Sequence, residues 1–193
     1  MNAGWSPGKP VLLETARFIV RSLTPEDVNE RYLAWLNDRE IVATLNVPPR
    51  IMTLAQMADY VRKFDNKTSF HFGVFTREEK RLIGIYSVYC DLKDRLAQTN
   101  VVIGEKEFWG QNVVIETRAA IIDFLFDRMN MDKIWGRPIA RNMPAIFNYK
   151  AQGFRTEGVL HKHLRDPSGK RIDQIMFGLL RDEWRARRRG EGR

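Results

Sequence analysis

The chain has 193 residues, of which 44% are apolar and 11% aromatic, and a formal net charge of +8. That apolar share excludes a wholly disordered chain, and no uninterrupted apolar run reaches the roughly 18 residues of a membrane-spanning helix. The length predicts one domain, and Cys90, the single cysteine, excludes an internal disulfide and a multi-cysteine metal site.

The opening Met1–Pro10 lacks the basic start and apolar run of a signal peptide, so the composition predicts a soluble cytoplasmic protein. Residues 16–23 are rich in β-branched and aromatic side chains and read as a strand. Thr24-Pro25-Glu26-Asp27 then supplies a cap, a proline for the first helical position and first-turn acids. The spacing predicts one helix carrying Val28, Tyr32 and Trp35 on a single stripe. Pro48-Pro49 breaks the chain, and Thr53 caps a second helix through about Phe64.

Three β-rich segments follow at His71–Thr76, Leu82–Tyr89 and Thr99–Ile103, separated by charged turns. Residues 113–129 switch to helical spacing, with Ile122, Leu125, Phe126 and Met129 on one face. Lys133–Ile139 reads as a short strand and Asn142–Gln152 as a short helix ended by Gly153. Phe154–Glu157 and Ile172–Leu180 read as closing strands. The sum is one mixed α/β domain, with little room for a second. We delimit a flexible N-terminal segment over 1–14, a domain over 15–184 and a basic tail over 185–193.

Two segments carry chemistry. Between Ile103 and Glu116 a strand ends, a short loop holds Gly110 and Asn112, and a long helix begins. The first turn of a helix has unpaired N–H groups and the positive end of the helix dipole, which together suit a phosphate or pyrophosphate. Gly110 and Asn112 are residue types that tolerate left-handed backbone. Asn112 also fits a plain helix cap. The second segment runs from Asn142 to Phe154. Asn142 and Tyr149 lie two turns apart on one helix face, and the Tyr149 hydroxyl can give a proton to a departing thiolate. Tyr149 equally fits a buried aromatic with a satisfied hydroxyl.

Together the two segments resemble the GNAT superfamily of acetyl-CoA-dependent N-acetyltransferases, in particular its RimJ/RimL-like branch. Phe108-Trp109-Gly110-Gln111-Asn112-Val113-Val114-Ile115-Glu116-Thr117 is similar to the family's Tyr/Phe-Trp-Gly-Lys-Gly-x-Gly/Ala-Thr-Glu-Ala. Asn142, Ala145, Tyr149, Gly153 and Phe154 fall in register with its later signature, and the resemblance covers about residues 15–185. It implies a single GNAT-type domain with a central, mostly antiparallel, splayed sheet flanked by helices. It also implies acetyl-CoA as co-substrate, with the pyrophosphate on the amides of Gly110, Gln111, Asn112, Val113, Val114 and Ile115. The pantetheine arm would pair beside the strand ending at Ile103 and touch Asn142, and Tyr149 would be catalytic, protonating the leaving thiolate. Asn112 and Val114 stand where the family has small residues, and Gln111 replaces a frequent lysine. These departures keep open a descendant that binds acyl-CoA or nucleic acid without turnover.

The implied acceptor is a primary amine on an amino-sugar nucleotide, a small molecule or a protein N-terminus, with no membrane partner and a monomer or homodimer as the assembly. Glu105, Glu107 and Glu116 lie near the loop but none is singled out as a base, and His161 and His163 read foremost as surface residues. No grouping has metal-ligand spacing. Cys90 reads as a small core residue. The arginines at 185–189 read as a solvated, frayed end rather than a nucleic-acid contact.

Overall fold

The computed structural model describes residues 5–46, 48 and 51–191. Its eight described strands form one sheet: β1 (Leu12–Glu14), β2 (Phe18–Ser22), β3 (Ser69–Thr76), β4 (Leu82–Asp91), β5 (Leu96–Ile103), β6 (Lys133–Gly136), β7 (Arg155–Arg165) and β8 (Arg171–Leu180). They lie in the order β1-β2-β3-β4-β5-β6-β8-β7. Every neighbouring pair is antiparallel except β5–β6. The helices are α1 (Glu30–Trp35), α2 (Arg39–Leu45), α3 (Leu54–Arg62), α4 (Val113–Asp123), α5 (Met143–Ala151) and α6 (Arg181–Glu191). The mixed, mostly antiparallel sheet expected from the sequence is the one observed.

The sheet is covered on both faces, so the interior strand β3 is buried almost throughout. Along β3, Phe70, Phe72 and Val74 join the core that packs Ile121, Ile122 and Ile146 of α4 and α5. Phe75 instead joins a second core with Tyr32, Trp35, Ile41 and Met57 of α1, α2 and α3. The period-2 alternation of a strand thus feeds two helical layers from one sequence run.

Several local expectations change. The single helix through Val28 and Trp35 is broken. Thr24-Asp27 closes a capping box on a 3-10 turn, Val28 is extended, and Asn29 starts α1 by accepting from Tyr32 N at 3.0 Å. Asp38 then starts α2 by accepting from Glu40 N and Ile41 N. Polar side chains that bond their own backbone interrupted a hydrophobic stripe that looked continuous. Thr53 caps α3 through a box with Gln56, as expected. The Pro48-Pro49 break lies partly outside the described residues, since Pro49 is not among them.

The helix expected over 113–129 is regular only to Asp123, and Phe124–Arg128 then widen into a π turn with Met129 N bonded to Phe124 O at 3.1 Å. This turn buries three consecutive large residues, Phe124, Leu125 and Phe126. The folded unit also starts earlier than residue 15. Leu12–Glu14 pair with β2, and Trp5 packs edge-on against Phe124 at 5.2 Å. At the other end, residues 181–191 are helical rather than frayed. Trp184 is buried and donates to Asp123 Oδ1 at 2.6 Å, while Arg185 and Arg188 reach Asp127 and Asp123.

Candidate active site

The parallel pairing of β5 with β6 stops early. It covers Leu96↔Lys133, Ala97↔Ile134 and Gln98↔Trp135, whereas β5 runs on to Ile103. After Gly136 the chain stays with β8, through Ile175 N to Pro138 O and Ala140 N to Asp173 O. The two strands therefore part, and the β5 edge beyond Gln98 opens on a cavity of about 320 Å³. Its walls are Val101–Ile103 of β5, Trp109, Gly110, Asn112, Val113 and Val114 around the start of α4, Ala145 and Asn148 of α5 with its cap Asn142, and Ile41 and Thr44 of α2.

Tyr149 sits where the strands part. Its hydroxyl donates to Thr99 O at 3.2 Å, and Gly136 lies against it so closely that no side chain fits there. Thr99 thus turns its carbonyl to the open edge, and by alternation so do Val101 and Ile103. The Ile103 carbonyl is taken by Trp109 Nε1 at 2.8 Å. The peptide of Val101 lies between two occupied carbonyls and faces the cavity, positioned to pair with an extended amide chain.

The loop at the cavity mouth has the backbone its residue types suggested. Gly110 has φ +75° and Asn112 φ 58°, ψ 19°. Nothing lies within 4 Å of a Cβ added to Gly110, so only the backbone angle calls for glycine there. Asn112 makes no side-chain cap, so the first-turn amides of α4 keep their anion-binding capacity. Gln111 and Arg17 brace the loop: Gln111 Nε2 donates to Glu107 O, and Arg17 Nη2 donates to Gln111 O. Gln111 and Ile115 are not among the residues lining the cavity, whereas Gly110, Asn112, Val113 and Val114 are. Val114 forms part of the wall and leaves the cavity open.

Asn142 lines the cavity too, but both ends of its amide are in use. Oδ1 accepts from Ala145 N at 3.1 Å as a helix cap, and Nδ2 donates to Thr44 O at 2.9 Å. Tyr149 is 5% exposed and lies behind the lining, stacked on Phe177 at 5.0 Å and edge-on to Phe154. Over its ring lies the guanidinium of Arg118, 4.4 Å from the centroid. Sequence reasoning missed Arg118, although a charge on the apolar stripe of a helix between Ile115 and Ile122 was a legible signal. It also missed Ile41 and Thr44, which carry none.

The neighbouring carboxylates are committed. Glu116 accepts from Thr15 Oγ1, Arg17 N and Arg17 Nε at 2.7–2.8 Å, tying α4 to the β1–β2 turn. Burial works against its charge, yet the bonds from Thr15 and Arg17 outweigh it and hold the carboxyl below its usual range. Glu105 accepts from Trp35 Nε1 and Glu107 pairs with Arg81. His161 of β7 lies 3.3 Å from Asp173 Oδ1 of β8, and neither it nor His163 lines the cavity. Burial pushes the Cys90 thiol up to about 12, which removes it as a thiolate nucleophile. Among the described residues no group of His, Cys, Asp and Glu could hold a metal, and no helix is long and apolar enough to cross a membrane.

The family model for the acetyltransferase (GNAT) domain matches residues 17–155. Over 177 residues the chain is 24% identical to the uncharacterized N-acetyltransferase p20 of Bacillus licheniformis, covering 89% of this chain and 97% of that one. The probable N-acetyltransferase YjcK of Bacillus subtilis is 26% identical over 57% of this chain and 61% of its own. In fold, the chain is similar to a ribosomal-protein-S5-alanine acetyltransferase from Vibrio fischeri, with a TM-score of 0.78 and 21% identity over 90% of this chain and 98% of that one. It is likewise similar to a spermidine N-acetyltransferase from Vibrio cholerae in complex with CoA and spermine, at TM-score 0.77 and 21% identity over 86% and 97%. GNAT acetyltransferases use acetyl-CoA; the open edge of β5 and the uncapped start of α4 offer, respectively, pairing groups for an extended amide chain and donors for an anion. The chain belongs to the acetyltransferase (GNAT) domain family.

Proposed function

We propose that this chain is an N-acetyltransferase of the RimJ/RimL-like branch that moves the acetyl group of acetyl-CoA to a primary amine by direct attack. The observation that carries the reading is the alignment of three features along one edge: uncapped α4 amides, the unpaired Val101 peptide and the Tyr149 hydroxyl. Acetyl-CoA supplies an acyl group already activated as a thioester. The amides of Gly110, Asn112, Val113 and Val114, which line the cavity, hold its diphosphate, aided by the helix dipole. Val101 fixes the register of the pantetheine arm by strand-like pairing, and Asn142 keeps α5 and α2 together beside it. Tyr149 holds the proton that the departing sulfur needs, and exchanges its bond to Thr99 O for that transfer. The glutamates near the loop are tied up in braces, so the acceptor enters as the neutral amine, its ammonium proton lost to solvent.

The net charge of +8 favours an acceptor that carries phosphate or carboxylate, as an amino-sugar nucleotide does, over a polyamine. A second reading, an acyl-CoA binder without turnover, draws on the burial of Tyr149 behind the cavity lining. Calorimetry with acetyl-CoA, run beside a thiol-release assay over amino-sugar nucleotides, polyamines and N-terminal peptides, separates the two. Binding with release from one amine class supports the transferase. Binding with no release over the panel supports the binder.

A further inference from the structure

Arg118 lies in α4 on the stripe that carries Ile115 and Ile122, in the midst of the larger core. It is 1% exposed, and neither its Nε nor its Nη1 has a hydrogen-bond partner among the described residues. A buried cation without a carboxylate is costly, and a sequence retains one only where something offsets that cost. Two phenols face it. Tyr86, from β4, bonds Thr117 Oγ1 at 2.9 Å; burial pushes its hydroxyl up, with the charge of Arg118 and hydrogen bonds from Thr117 and Arg118 acting against that rise. Tyr149, from α5, presents its ring face at 4.4 Å. The other elements around Tyr149 meet it with uncharged groups: Thr99 O of β5, Gly136 of β6 and Phe177 of β8. Arg118 acts on both phenols, but Tyr86 lies against Thr117 of α4, whereas the Tyr149 hydroxyl stands at the strand gap, where a reaction can draw on the cation.

We infer that Arg118 is a positioning residue for Tyr149: its buried guanidinium holds the phenol ring in place and stabilises negative charge on the hydroxyl oxygen as the proton leaves. The inference rests on the transferase reading above. In the step concerned the amine nitrogen bonds the acyl carbon, the C–S bond breaks with its electron pair going to sulfur, and the Tyr149 O–H bond breaks as S–H forms. The proton shed by the acetylated nitrogen then restores the phenol, directly or through water. A cation over the ring lowers the energy of the phenolate in a site where water is scarce.

The test is a double-mutant cycle on kcat with the amine that the thiol-release panel identifies, with calorimetric Kd for acetyl-CoA measured in parallel. R118M, or R118Q if R118M folds poorly, is expected to lower kcat about tenfold with Kd within about twofold, and R118K to restore most of the loss. In a Y149F background R118M is expected to change kcat no further. Losses that multiply in the double variant, or a loss confined to Kd, would overturn the inference. A readout free of turnover accompanies the cycle: with tyrosines labelled at 13Cζ, R118M moves the resonance that Y149F removes, and R118K largely leaves it. An unmoved resonance overturns the contact itself. A moved resonance in a chain that turns over no amine overturns the transferase reading, and the role of Arg118 with it.

Discussion

The Tyr149 hydroxyl and Gly136 share one small space: a Cβ on Gly136 would fall on the phenol oxygen and its ring carbon. The glycine is what lets the phenol reach the point where β5 and β6 part. Gly136→Ala is expected to destabilise the fold by about 1–3 kcal/mol, the usual cost of overpacking a tight core. It should also lower kcat by pushing the hydroxyl off Thr99 O. Urea midpoints together with steady-state kinetics read both effects, and an unchanged kcat would show that the hydroxyl position is immaterial.

Tyr149→Phe removes the proton and keeps the stacking on Phe177 and Phe154. The expected loss in kcat is about a hundredfold or more, in the range of general-acid catalysis, with acetyl-CoA affinity within about twofold. Wild-type turnover under chemistry-limited conditions would remove Tyr149 from this role.

Asn112 holds a left-handed backbone that costs an ordinary side chain about 1–2 kcal/mol. Asn112→Gly should therefore bind acetyl-CoA as the native chain does, whereas Asn112→Val should bind it several-fold more weakly. Val114→Phe, on the cavity wall, should weaken binding more than tenfold while circular dichroism stays native. Equal affinities across the three variants would move the diphosphate away from this loop.

His71 gives the fold a pH signature. It is buried between α1 and α3, shares a 2.7 Å hydrogen bond with Tyr32 Oη, and stacks on Phe64. Burial pushes its imidazole down to about 4. Between that value and the roughly 6.5 of an unfolded histidine, the unfolded chain binds more protons. Stability is accordingly full above pH 6.5 and falls as pH drops toward 4, by on the order of 3 kcal/mol. Urea denaturation from pH 4.5 to 7 should show this slope, and His71→Gln should flatten it.

The layout of strands and helices was legible wherever hydrophobic period and turn chemistry agreed. The caps at Thr53 and Asn142, the strand segments His71–Thr76, Leu82–Tyr89 and Thr99–Ile103, each observed within a longer strand, and the loop conformation at Gly110 and Asn112 follow from local side-chain chemistry. What could not be read needed a partner distant in sequence. The α6 helix is anchored by Trp184 on Asp123, 61 residues away, so its arginines looked like a solvated run. Val28 fits a helical stripe, but Asn29 bonds its own chain and restarts the helix. At the site, the left-handed residues announced themselves by type. The commitment of Asn142 to Thr44 and of Glu116 to Arg17 depends on contacts about a hundred residues apart. Arg118 stood in plain view on an apolar stripe, but its meaning came only with the ring of Tyr149 above it.

The most direct measurement is calorimetric titration of acetyl-CoA into the native chain, with Val114→Phe as the control for place. The account predicts one site per chain with a dissociation constant between about 1 μM and 1 mM, and heat that nearly vanishes in the variant. No heat from the native chain at millimolar acetyl-CoA, or binding untouched by Val114→Phe, would contradict it.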